Sequence, residues 1–272
     1  MKSNVKIRES EKQESNKANL FEIDFLLIGL IVFLAAVIPY FVHFIPNAYY
    51  DIYSSFGFLF IALVLLAAIS TVKKKLKSFN SFFYAILTIL ISIVLGLAYD
   101  FSSISFFFYF YEILMVAGYL MLAISVYFLM QDVYIQLTKK KIIVSALIII
   151  AIVAAFTYFY LNPIMNSNVS NAQKVYALII PMIDVILAAG VALVIVSVKS
   201  AKFWSGYNGL LVAIIFLIIG DLIDVNYRLA TVGVFWNYGD IFVFMSYLFA
   251  IQFINNWRKA LSKDFSQIFE LF

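Results

Sequence analysis

The sequence contains no cysteine and a single histidine, His43. The first absence excludes disulfides, thiol catalysis and cysteine-based metal sites. The second argues against a haem or a histidine-cluster metal centre, and no cofactor is expected. Charge is scarce as well: 12% of the 272 residues are Asp, Glu, Lys or Arg, against about 25% in soluble domains. There is no Gly-rich phosphate loop, no nucleophile elbow and no His-Glu-x-x-His. No lysine lies inside an apolar run away from its ends, which excludes the Schiff-base lysine of a retinal protein. No linker or low-complexity stretch marks off a second domain.

What fills the chain is apolar surface: 65% of the residues are hydrophobic and the mean hydropathy is +1.01. Runs of about 20 apolar residues are needed to cross a bilayer core of about 30 Å. Eight can be drawn, at about 20–44, 52–72, 79–100, 103–130, 142–161, 174–198, 206–228 and 238–257. They do not alternate and are twice as long as the ~10 residues of a barrel strand. The expected fold is an all-α, polytopic membrane protein of eight transmembrane helices. Residues 20–257 form the membrane domain, between an N-terminal tail, 1–19, and a C-terminal tail, 258–272.

Basic residues set the expected orientation. Seventeen Lys and Arg fall in the tails and in the loops that share their side, whereas only Lys174 and Arg228 fall opposite. Positive charge is retained on the cytoplasmic side, so both tails are expected inside, with the protein in the cell membrane. The net charge of +4 is accounted for by these loops, and nucleic-acid binding is not expected. Membrane lipids are the expected surroundings, the Lys runs acting as interfacial anchors. An Asn-Val-Ser sequon at Asn168 falls in an outer loop.

A shift of 124 residues aligns Gly96 with Gly220 and Asp100 with Asp224. Each pair ends a span that follows a Lys-bearing inner loop and precedes an aromatic-rich span. The spacing suggests two parallel four-helix repeats related by an axis along the membrane normal.

Ionisable groups within apolar spans are costly and default to a functional reading. With a rise of about 1.5 Å per residue, Asp184 and Glu112 lie about 15 Å deep, near the midplane. Asp221, Asp224 and Arg228 are spaced three and four apart and share one helix face, with Arg228 as a counter-ion for Asp224. Asp100 and Asp240 are expected at the outer rim. Pro181, three residues before Asp184, would free a backbone carbonyl near that acid. The expected ligand site is therefore one outward-opening acidic cavity formed by Asp184, Asp221, Asp224, Arg228 and Asp240, with Tyr227 and Tyr247 at its wall.

Ile180-Pro181-Met-Ile-Asp184, Asp224-Val-Asn-Tyr227, Gly233 and the Asp240/Tyr247 pair resemble the multi-pass membrane sensory regions found ahead of GGDEF/EAL and histidine-kinase output domains. Ile180 stands where those regions carry Tyr. The resemblance implies a stand-alone, sensor-like or accessory protein that signals through a protein partner in the membrane or cytoplasm. A second resemblance, carried by Gly220-Asp221 and Ser246-Tyr247 with Ala250 and Gln252, is to the eight-span lysoplasmalogenase family. It implies a lipid hydrolase with Asp100 and Asp221 as its catalytic pair. A proton- or cation-coupled transporter is the third reading of the same acids.

Overall fold

The computed structural model describes residues 24–42, 50–72, 77–132, 138–168, 170–197, 201–228 and 236–262. The tail 1–19, His43, Gly233 and residues 263–272 lie outside the described residues. Helices follow one another along the chain: α1 (Phe25–Val42), α2 (Tyr50–Ser70), α3 (Lys77–Ser102), α4 (Ser105–Asp132), α5 (Lys139–Asn166), α6 (Asn171–Ser197), α7 (Ala201–Arg228) and α8 (Trp236–Ser262). No strand occurs among the described residues. Hydrocarbon offers no partner to a backbone N–H or C=O, so apolar runs of this length satisfy themselves as helices.

Among the described residues, five helical stretches are long and apolar enough to span a bilayer: Ile52–Ser70, Lys77–Ser102, Ser105–Gln131, Lys139–Asn166 and Ala177–Val196. Phe25–Pro39 is apolar but shorter. The chain is thus an all-helical, multi-pass membrane protein.

Local signals start and stop several of these helices. Asp24 Oδ1 accepts from Leu26 N at 3.1 Å, capping α1, and Thr138 Oγ1 accepts from Lys141 N at 3.4 Å, capping α5. Between α3 and α4 the chain reverses through Ser103, whose φ of 56° is the left-handed conformation that commonly ends a helix. Its N–H donates to Tyr99 O at 2.7 Å. Within α5, residues Thr157–Leu161 form a π-helical turn; such turns are frequent at functional sites.

Apolar burial does little to drive helix association in lipid, so close packing and interhelical hydrogen bonds must hold the bundle. The α3–α4 pair is the most extensive, followed by α7–α8. Three serines join α3 to α4: Ser92 Oγ donates to Tyr111 O at 3.1 Å, Ser81 Oγ to Met121 O at 3.3 Å, and Ser125 Oγ to Ser78 O at 2.9 Å. Small residues bring α7 and α8 together. A Cβ on Gly220 would stand 3.0 Å from Gly239 O and 2.6 Å from Val243 Cγ2, and one on Gly239 would stand 3.1 Å from Gly220 O. The two backbones touch there.

One apolar cluster joins α1, α2, α3 and α8 around Ile61, Leu65, Phe244, Ile251 and Ile254. A second joins α4, α6 and α7 around Tyr119, Ile183, Leu187, Ile214 and Leu217. Of the tyrosines considered next, Tyr119 belongs to this second cluster, Tyr247 to the first and Tyr160 to a smaller one with Ile164.

Candidate functional site: a buried carboxyl pair ringed by tyrosines

Asp184 lies one turn past Pro181 on α6 and is 1% exposed. Both of its carboxyl oxygens are buried, and no donor among the described residues reaches either of them. Its polar neighbour is the Asp221 carboxyl on α7. Two carboxylates are both acceptors, so they can bond to each other only through a shared proton or an intervening cation. A buried carboxyl with no donor is expensive to keep, and the fold keeps one.

Asp221 owes its position to the preceding residue. Gly220 is where α7 meets α8, and this contact fixes the turn of α7 that carries the acid. Tyr119 on α4 donates its hydroxyl to Asp221, with Oη 2.9 Å from Oδ2 and 3.1 Å from Oδ1. Tyr247 on α8 is buried and lies close enough to Asp221 to interact with its charge. Tyr160, from the π turn of α5, donates to Ile218 O at 2.7 Å, one turn of α7 before Asp221, and also feels both acids. Each of these five side chains comes from a different helix. Together they make a polar knot of two carboxyls and three phenols, buried except for the half-buried Asp221.

Of the acids and tyrosines singled out in the sequence, the fold brings together Asp184, Asp221 and Tyr247. Asp224 is half-buried one turn further along α7, and Asp240 is half-buried beside Gly239 near the start of α8. Tyr227 and Arg228 end α7, and their side chains lie outside the described residues, as does any ion pair between Arg228 and Asp224. Glu112 is half-buried on α4. Asp100 is exposed at the end of α3, and the carboxyl beside Asp221 is that of Asp184. Asn168 is exposed between α5 and α6. No group of three or more His, Asp or Glu able to hold a metal ion occurs among the described residues.

Sequence reasoning missed Tyr119 and Tyr160. Tyr119 is seven residues from Glu112 and so shares its helix face; that spacing was the available signal. Tyr160 sits in a run of aromatics, Tyr158-Phe159-Tyr160, with no polar contrast to single it out. Its inward direction depends on a π turn that no composition rule announces. Replacing Tyr160 with Phe removes this hydrogen bond, while the Ile218 carbonyl keeps its intrahelical partner, with an expected loss of about 1 kcal/mol. Equilibrium unfolding in detergent micelles would measure it.

No protein-family model matches the chain, and neither a curated protein nor a solved structure matches it.

Proposed function

We propose that this protein is a non-enzymatic, sensor-like or accessory protein of the cell membrane, and that its responsive element is the Asp184–Asp221 pair. The observation that carries this reading is the buried, donorless Asp184 carboxyl set against a second carboxyl. One proton or one small cation between them is the favourable filling, because it provides the donor that neither acid has. Filling or emptying that position changes the contact between α6 and α7, and in this way ligand occupancy becomes helix movement.

The surrounding architecture is read as eight spans with both tails in the cytoplasm, from the 17-to-2 distribution of basic residues. Helix pairing supports two related halves. A shift of 124 residues carries α1–α4 onto α5–α8; the two tightest pairs, α3–α4 and α7–α8, then correspond, and so do the cross-contacts α4–α6 and α8–α2. The acid pair belongs to the second half alone, since position 97 is Leu where position 221 is Asp. In this reading the first half is scaffold and the second responds. Asp224, Asp240, Tyr227 and Arg228 would form the outer approach to the pair, and signalling would pass to a protein partner.

The test is the dependence of the unfolding midpoint on pH, measured in lipid nanodiscs. As pH rises the shared proton leaves and two adjacent carboxylates repel, so wild-type stability should fall with rising pH and be restored by a bound cation. Asp184→Asn should flatten that dependence, and an unchanged pH profile in this variant would refute the reading. A lysolipid hydrolase is the second reading, favoured by Gly220-Asp221 and by the juxtaposition of two carboxyls able to act as acid and base. Release of product from an ether or ester lysolipid, abolished by Asp221→Asn, would replace the first reading with it.

A further inference from the structure

Immediately along the bundle from the carboxyl pair lies an apolar cavity of about 50 Å³, lined in part by Leu122, Val126, Leu187, Ile214, Leu217 and Phe253. Its placement follows from helix geometry. Leu122 and Val126 stand three and seven residues from Tyr119, Leu187 three from Asp184, and Leu217 and Ile214 four and seven from Asp221. Positions with those spacings share a helix face, so the side chains that form the knot and those that line the cavity point to the same place, one helical turn apart. The Ser125 hydroxyl in its wall already donates to Ser78 O. The space could hold water by volume, but water needs two to four polar partners and apolar cavities stay dry.

The geometry points to a single amphiphilic site for a protonated amine that carries an apolar tail: the ammonium lies between Asp184 and Asp221, and the tail fills the cavity beneath. This rests on the reading of the acid pair as the responsive element and names the class of ligand it takes. An ammonium brings three donors and no acceptor, which answers the donorless oxygens of Asp184 and completes the acceptor set of Asp221. An inorganic cation would meet the acids but leave the cavity unfilled. A neutral alcohol would fill the cavity but leave the carboxylates unbalanced, and an anion would be repelled by both acids.

The experiment measures the unfolding midpoint of the full chain in nanodiscs during titration with n-hexylammonium chloride, ammonium chloride and n-hexanol. The expected result is a saturable rise with hexylammonium at a half-saturating concentration at least about tenfold below that of ammonium, since each buried methylene adds a factor of several. Hexanol should give no saturable rise. Asp184→Asn should abolish the response to both cations. Leu122→Phe, which fills the cavity and leaves the acids in place, should bring the hexylammonium concentration up to that of ammonium; Ile214→Phe makes the same test from the opposite wall. Equal half-saturation by the two cations in the wild type, or a hexanol response matching that of hexylammonium, would overturn the amphiphile inference and leave the acid-pair reading standing. If neither pH nor any cation moves the midpoint of a folded wild type, both fall.

Discussion

Asp184→Leu should make the protein more stable, by about 1–3 kcal/mol, while removing its response to protons and cations. The sign runs against the usual cost of a core substitution. It follows from the fact that no described group donates to Asp184, so the leucine gives up at most the one bond that a proton shared with Asp221 provides and relieves the proximity of two acids. Replacing buried ionic groups by apolar ones of similar size is often stabilising by that amount. Asp221→Leu should do the reverse and cost about 1–3 kcal/mol, because it strands the Tyr119 hydroxyl and leaves Asp184 alone in the bundle. Unfolding curves of the two variants in mixed micelles should therefore move to opposite sides of wild type. If both move the same way, Asp184 has a partner that satisfies it. The retention of a destabilising acid is the signature expected where stability has been traded for a working site.

Gly220→Leu should be strongly damaging, at about 3 kcal/mol. Even a Cβ at this position meets the Gly239 carbonyl at 3.0 Å and the Val243 amide nitrogen at 3.2 Å. Those atoms belong to the backbone of α8 and cannot swing aside, so α7 and α8 must separate. Gly220→Ala should cost about 1 kcal/mol, because a few tenths of an ångström of helix movement suffice. The larger variant also displaces Asp221 from Tyr119, which joins loss of fold to loss of site. The fraction of monodisperse protein after extraction, together with the unfolding midpoint, separates the two variants. Wild-type values for Gly220→Leu would mean that the backbones do not touch there.

The helices themselves were open to sequence reading because hydrocarbon imposes a length and a composition on whatever crosses it. The runs drawn at 52–72, 79–100 and 103–130 correspond to α2, α3 and α4 to within about two residues at each end. That Asp184 would turn into the bundle was legible too, since a carboxyl within an apolar span is costly against lipid. Which acid it meets was not. Asp221, Asp224 and Arg228 share a face by spacing, and nothing in that spacing says which of them turns toward α6. That choice is made by the Gly220–Gly239 contact, a long-range feature linking two helices. Tyr119 is a similar case: its spacing from Glu112 marks its helix face, but that it reaches Asp221, across 102 positions of sequence, shows only in the folded arrangement.

The π turn gives α5 two phases. Ahead of it Ser145 is buried and Ile142, Ile143, Leu147, Ile150 and Val153 are exposed; from its start onward Tyr160 and Ile164 are buried and Tyr158, Phe159 and Met165 are exposed. One residue corresponds to about 100° around a helix of 3.6 residues per turn, so the extra residue that widens the turn re-aims everything after it. Losing Thr157, Tyr158 or Phe159 would restore an unbroken spiral and swing the Tyr160 phenol away from α7, with every other amino acid unchanged. Divergent versions of this chain that have dropped the widened turn would need their hydroxyl at a different place in the count. The site should therefore be traced across such versions by angular phase, and an alignment scored without a gap in this stretch would pair the wrong side chains.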